Sequence, residues 1–290
     1  MRSYFLIFGF GYTAKAFATK LISEGFSVVG TKRTPYESSG DIPGLELIDF
    51  ESPHLEECVR FSTHILVSIP PVGLMGDMVL IKYGDLIRRQ APHLEWLGYL
   101  SSTGVYGDHQ GRWVTEETTC VPHTLLNIAR LEVEKSWLSF AKANQLPLHI
   151  FRLSGIYGPQ RNALERILAG KPYSIFKKGH MFSRVHVEDI VAALFASIKR
   201  SNPLAIYNVS DDEPAAAYIV DNYAANLLHR EPPPLIQISR VCLSPMEKEL
   251  YSNNRRVSNL KIKEDLEISF KYPTFREGLT HIWRNDLATK

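Results

Sequence analysis

The first fourteen residues, MRSYFLIFGFGYTA, limit what this chain can fold into more than any other stretch. Tyr4, Phe5, Leu6, Ile7 and Phe8 form an apolar, aromatic and β-branched run of strand length that does not alternate with polar residues. Such a run predicts a strand covered on both faces, as in a parallel sheet. Gly9, Phe10, Gly11, Tyr12, Thr13 and Ala14 follow at once, in the spacing G-x-G-x-x-A. In that spacing the first glycine makes a tight turn and the second lets backbone approach a pyrophosphate. The small third residue lets the following helix lie close to the strand. Ala14, Phe17, Leu21 and Ile22 recur at helical spacing, and a second strand is expected over Phe26 to Gly30. The N–H groups and positive dipole end at the start of that helix suit phosphate. The six positions from Gly9 to Ala14 therefore read as a dinucleotide grip, the alternative being an ordinary strand-turn-helix connection.

Composition narrows the partners. At 290 residues and 44% hydrophobic, the chain suits one large domain, or a nucleotide-binding domain with a smaller lobe. Thirty-three basic against 31 acidic residues leave a net charge of +2. No long block of one sign is present, so nothing points to nucleic acid or to a membrane surface. Cys58, Cys120 and Cys242 are odd in number, widely spaced and without metal-ligand spacing, which predicts structural thiols, a reducing compartment and no metal. The first apolar run is broken by Gly9 and Gly11, well short of the ~20 residues of a spanning helix. A cytoplasmic protein is the expectation.

Farther along, the second strand emerges at Thr31, Lys32 and Arg33. Arg33 lies 33 − 11 = 22 residues past the second glycine. About 20 residues past the glycines, an acid receives the adenosine ribose, whereas a basic cluster receives a 2′-phosphate. Thr31, Lys32 and Arg33 thus favour NADP(H) over NAD(H), against the alternative of two solvated cations on a loop. A short third strand, LELIDF, ends at Asp49 on the expected adenine side. The strand Thr63 to Ile69 stops at Pro70 and Pro71, which have no backbone donors. Because ligands of such sheets lie beyond the carboxyl ends of strands, Ser68, Ile69 and Pro70 should line the cofactor.

A helix is expected from after Asp77 to about Gln90 and a fifth strand over Glu95 to Leu100. The hydroxyls of Ser101, Ser102 and Thr103 then cluster at the carboxyl end of that strand, where a nicotinamide would lie, although a Ser/Thr-rich turn also accounts for them. Trp113 to Val121 reads as loop, Leu125 to Lys142 as a long helix and Leu146 to Leu153 as a sixth strand. Ile190 to Ile198 is expected to be helical, Ala205 to Val209 a strand, and Asp211-Asp212-Glu213-Pro214 the acidic first turn of another helix. His186, between Val185 and Val187, reads as a buried, satisfied histidine rather than one that titrates near neutrality.

From end to end the chain resembles the extended and atypical short-chain dehydrogenase/reductases, the NAD(P)-dependent epimerase/dehydratase-like proteins. GFGYTA resembles their glycine motif, VSIPP the end of the fourth strand, and SSTGVYG the active-site strand. FRLSGIYGPQR is similar to their RxxxxYGP segment and RVHVEDI to a helix start. The tail RRVSN…YPTFREGL is similar to a small subgroup known chiefly as NAD(P)-binding or sugar-epimerase-like proteins. The resemblance implies an α/β fold, a Rossmann-type doubly wound parallel sheet with a small C-terminal substrate lobe. Residues 1–160 would form the dinucleotide-binding core. Residues 161–290 would complete that core over about 182–210 and supply the lobe. It also implies a small-molecule or nucleotide-linked substrate, and raises a homodimer, since relatives often pair through two helices.

In complete members a Tyr, a Lys four residues later and a strand hydroxyl work together. The phenol moves the proton, Lys lowers its pKa and holds the nicotinamide ribose, and the hydroxyl steadies the carbonyl. Ser102, four residues before Tyr106, matches the hydroxyl. Aligning ARLEVEK with the helix segment puts Arg130 at the Lys position, Glu134 at a following acid and Leu126 where Tyr belongs. Arg130 can hold a ribose but is no proton shuttle; a helix-surface pair with Glu134 is the other reading. The resemblance also implies Ser101 and Tyr157 at the cofactor and Thr103 at the substrate, while Arg161 and Arg255 resemble positions that face anionic substrates in nucleotide-sugar relatives, a structural ion pair being the other reading. Two functions compete. One is an NADP(H)-dependent oxidoreductase, or an epimerase/dehydratase relative. The other is a non-catalytic NADP(H)-binding sensor or regulatory module, motivated by Leu126.

Overall fold

The computed structural model describes residues 4–33 and 42–287. In chain order the elements open with β1 (Tyr4–Phe8), α1 (Tyr12–Ser23), β2 (Ser27–Lys32), β3 (Leu45–Asp49) and α2 (Leu55–Phe61). There follow β4 (His64–Val67), α3 (Met78–Gln90), β5 (Trp96–Ser102), β6 (Trp113–Val114), α4 (Leu125–Asn144), β7 (Leu148–Leu153), β8 (Gly155–Tyr157) and α5 (Ala163–Leu168). The rest comprises β9 (Ser174–Phe176), β10 (Arg184–His186), α6 (Val187–Lys199), β11 (Ala205–Val209), α7 (Ala217–Leu227), β12 (Leu235–Gln237), α8 (Pro245–Ser252), β13 (Arg256–Val257), α9 (Leu260–Leu266) and α10 (Phe275–Ile282).

Seven strands form one sheet in the order β11-β7-β5-β4-β1-β2-β3. The pairings of β3 with β2, β2 with β1, β1 with β4 and β4 with β5 are all parallel. After β1 the chain winds outward through β2 and β3, then returns to place β4 on the other side of β1. This is a Rossmann-type doubly wound sheet, and its topological switch point lies between β1 and β4. The uninterrupted apolar run is explained by two-sided cover. Phe5 meets Phe17 of α1 edge-on with ring centroids 5.5 Å apart, while Phe8 stacks on Tyr83 of α3 at 5.5 Å. Phe5, Leu6, Ile7 and Phe8 are fully buried, each such side chain contributing about 1.5–3 kcal/mol.

By contact the described chain separates into two compact units, each discontinuous in sequence. The first comprises Met1–Ser102, Leu125–Arg152 and Val191–Tyr207, and its core gathers Leu6, Phe8, Tyr83, Leu97, Tyr99 and Trp137. The second comprises Thr103–Thr124, Leu153–Ile190 and Asn208–Lys290. It contains the small parallel pairs β8–β10, β9–β12 and β6–β13, and a core of Tyr157, Leu164, Val220, Ala224, Phe275 and Leu279.

Two local expectations are corrected. The segment Trp113 to Val121 is not all loop, because Trp113 and Val114 pair with Arg256 and Val257 as β6 and β13. The acids at 211–213 do not open a helix: α7 starts at Ala217 with no acid in its first turn. Ala215 instead exchanges backbone hydrogen bonds with Phe182, both 3.1 Å, which keeps the chain extended through this stretch. The acids are used elsewhere: Asp212 accepts from Asn259 Nδ2 at 2.7 Å, and Glu213 receives the fork of Arg276. Among the described residues no helix is long and apolar enough to cross a membrane.

Candidate active site

In the first unit, the turn after β1 is fixed by the neighbouring strands. Gly9 has φ +89°, and a Cβ there would lie 2.7 Å from Ile69 Cγ1 and 3.0 Å from Ile69 N. Only glycine fits this close crossing of the β1 and β4 ends. The Gly9 N–H donates to Thr31 Oγ1 at 3.0 Å and the Phe10 N–H to Thr31 O at 2.8 Å, so β2 supports the turn from its other side. Gly11 differs. A Cβ added there meets nothing within 4 Å, and the residue is exposed at the N-cap of α1. Without a side chain, Gly11 cannot cap the helix. The first N–H groups of α1, which begins at Tyr12, have no carbonyl one turn earlier in the helix. Thr13 and Ala14 are buried against the sheet.

Thr31 is 1% exposed and its hydroxyl serves Gly9. Lys32 is half-buried and Arg33 exposed at the end of this described stretch. Lys32 stands opposite Asp49 in the β2–β3 register, and Asp49 Oδ1 accepts the Glu51 N–H at 2.7 Å. Ser68 and Ile69 are half-buried and Pro70 exposed, directly past β4. The Ser68 N–H donates to Phe8 O at 2.8 Å. Gly9 to Ala14, Thr31 to Arg33, Asp49, Ser68 to Pro70, Ser101, Ser102 and Arg130 all belong to this unit.

The end of β5 contains a network that the sequence did not announce. Ser101 donates its hydroxyl to Glu134, and Arg152 grips the same carboxylate with Nε 3.2 Å from each oxygen and Nη2 2.7 Å from Oε2. Ser101, Glu134 and Arg152 are 4%, 1% and 4% exposed. Glu134 thus turns inward to Arg152 of β7. The i,i+4 spacing to Arg130 gave a different partner, and only the strand carrying Arg152, invisible to a helix-local reading, supplies this one. Ser102, the next strand residue, projects from the opposite face by the pleat and is half-buried. Arg130 is half-buried on α4, and its charge opposes the upward push that burial gives the Tyr99 phenol. Leu126 lies on the first turn of α4 and is 45% exposed.

The remaining candidates lie in the second unit. Thr103 is buried just past β5, and Arg161 is exposed in a tight turn closed by Gly158. Tyr157 is buried: its hydroxyl donates to Thr274 O at 3.4 Å, and a Cβ at Gly278 would sit 2.1 Å from that hydroxyl. Tyr106 is also buried and donates to Asn208 Oδ1 at 2.7 Å. Arg255 Nη1 donates to Gly107 O at 3.0 Å, its Nε is buried without a partner, and burial lowers its pKa to about 10. His186 is fully buried, as expected, but only half satisfied. Its Nδ1 accepts the Glu188 N–H at 3.2 Å while Nε2 has no partner, and burial lowers its pKa to about 4. His123 is exposed.

A doubly wound sheet with a glycine turn at its switch point defines the class. Residues 85–210 match the NAD dependent epimerase/dehydratase family. A conserved protein of unknown function from Silicibacter pomeroyi is 40% identical, covering 98% of this chain and 99% of its own, with a TM-score of 0.90. The chain belongs to the same family as that Silicibacter pomeroyi protein. Protein YeeZ of Escherichia coli strain K12 is 26% identical over 244 residues, covering 78% of this chain and 84% of YeeZ. The fold is also that of dTDP-glucose 4,6-dehydratase from Bacillus anthracis, solved in complex with NAD, at 18% identity and a TM-score of 0.78 over 98% and 97% of the two chains.

Proposed function

We propose that this protein is an NADP(H)-dependent oxidoreductase or epimerase/dehydratase-like enzyme acting on a small or nucleotide-linked substrate. The observation that carries this reading is Gly11: it faces open space at the uncapped start of α1, at the switch point of the sheet. The site fits a pyrophosphate because the first-turn N–H groups point there and no side chain of Gly11 fills the approach. In this reading Gly9 to Ala14 cradle the phosphates, Ser68, Ile69 and Pro70 line one side, and Asp49 borders the adenosine. Thr31 braces the turn, leaving Lys32 and Arg33 to receive a 2′-phosphate. Bound there, the nicotinamide cofactor supplies hydride exchange.

The protein's own part is orientation and charge. Ser102 donates its hydroxyl to the reacting oxygen, with Ser101 held back by Glu134. Arg130 holds the ribose; in the second unit Tyr157 is the candidate for the cofactor, and Thr103, Arg161 and Arg255 are the candidates for the substrate. The bacterial dehydratase with the same fold acts on a nucleotide sugar, which supports the substrate class. The second reading, a non-catalytic NADP(H) sensor, draws on Leu126, whose side chain moves no proton.

Calorimetric titration with NADPH and NADH, before and after Arg33→Ala, tests the cofactor assignment. NADPH should bind more tightly than NADH, and Arg33→Ala should erase most of the difference. Equal binding of both cofactors in both proteins rules the assignment out. Turnover of bound NADPH with a carbonyl or sugar-nucleotide panel then separates enzyme from sensor.

A further inference from the structure

Arg184 opens β10 in the second unit and is half-buried. Its Nη1 donates to two backbone carbonyls, Phe182 O at 2.8 Å and Ala215 O at 2.9 Å. Those bonds lock one corner of a planar fork that carries five donors. Among the described residues, no acceptor lies on the Nε–Nη2 edge and no carboxylate comes within ion-pair distance of the guanidinium. The Phe182 ring lies 5.8 Å from the guanidinium carbon and backs its plane.

We propose that the Nε–Nη2 edge of Arg184 is a docking point for a carboxylate or phosphate of the ligand that this unit receives. The surrounding charge agrees. Asp221 is already shared, with Lys171 Nζ 2.5 Å and Arg166 Nη2 3.7 Å from its oxygens, and it also accepts Ser174 Oγ at 2.7 Å. Arg166 is close enough to repel Arg184. The other acid that acts on Arg184 is Asp211, 1% exposed, with neither carboxyl oxygen hydrogen-bonded. Burial pushes the Asp211 carboxyl well above its ordinary range, so it is a poor counter-ion. A guanidinium immobilised by carbonyls, with one edge open and no ionised partner, is prepaid for bidentate recognition of a planar or tetrahedral oxyanion. The inference deepens the enzyme reading by giving its substrate an anionic group, and rests on that reading for the ligand being a substrate.

The test is calorimetric titration of inorganic phosphate into the full chain already saturated with NADPH, so that phosphate sites of the cofactor are filled. Wild type should bind phosphate, Arg184→Gln about tenfold or more weakly, and Arg184→Lys in between because charge remains and the fork is lost. Equal affinity in wild type and Arg184→Lys, or no phosphate binding by wild type, overturns the proposal. Should Arg184→Gln fail to fold after losing both carbonyl bonds, Arg184→Lys alone decides. NADPH affinity, measured first, should be the same in all three. If wild type binds no NADPH, the cofactor reading fails by itself, and the phosphate comparison on the free protein still judges Arg184.

Discussion

Gly9 and Gly11 stand two residues apart in one turn and do different work. Gly9 occupies φ +89° with Ile69 pressed against it, so Gly9→Ala must both enter a strained backbone region and displace the end of β4. A loss of about 1–3 kcal/mol is expected, read as a lower midpoint in denaturant unfolding. Gly11 has φ −98° and open space at its Cβ position. Gly11→Ala should leave stability within about 0.5 kcal/mol of wild type yet weaken NADPH binding at least tenfold, because the added methyl stands where the phosphates approach. A Gly11→Ala protein that binds NADPH normally would remove the main support for the cofactor site. The spacing G-x-G-x-x-A made this turn legible. It did not divide the labour, because that depends on Ile69, which is distant in sequence and meets Gly9 only once β4 lies beside β1.

At the scale of elements, legibility followed the range of the forces that define each one. β1 and β11 were readable to the residue, since an apolar run between turn signals suffices to mark a buried strand. β6 was not, because Trp113 is paired with Arg256 from the far end of the chain and carries no pattern of its own. The start of α7 was misplaced because acids before a helix look like a first turn until Ala215 is seen bonded to Phe182. The linkage of β5, α4 and β7 through Ser101, Glu134 and Arg152 was hidden for the same reason: two charges paired across three elements share no local spacing. Removing one member leaves the other charge buried and unmatched, so Glu134→Ala should cost about 3–5 kcal/mol. Replacing both charges, as in Glu134→Met with Arg152→Met, should cost less than either single change. Urea unfolding of the three variants checks this; a double variant with the summed loss of the singles would show that the pair is not coupled.

Over the whole molecule, histidines buried in both units make the fold sensitive to acid. His64 and His149 lie in the first unit and His180 and His186 in the second; burial lowers the pKa of each to about 4. His149, fully buried, is lowered by desolvation against the opposing pull of its bond to Pro147. Its Nδ1 donates to Pro147 O at 3.1 Å and its Nε2 accepts the Asn202 N–H at 3.1 Å, which fixes one neutral tautomer. A proton added at Nε2 would face that N–H. The unfolded histidine titrates near 6.5, so between pH 6.5 and 4 the unfolded chain binds more protons than the folded one, and stability falls as pH falls. Asp189, its carboxyl raised to about 6 by burial, works the other way, as do Asp211, Asp77 and Glu116, which burial also raises. For His149 alone, linkage gives about 2 kcal/mol lost between pH 7 and pH 5. His149→Phe keeps the stacking on Trp96 and Phe151, now at ring separations of 6.2 and 6.4 Å, and removes the titration. The variant should start less stable at pH 7, having orphaned the Asn202 N–H, yet lose about 2 kcal/mol less than wild type on going to pH 5. Equilibrium urea unfolding at the two pH values supplies both numbers, and parallel losses in the two proteins would mean that His149 takes no part in the acid response.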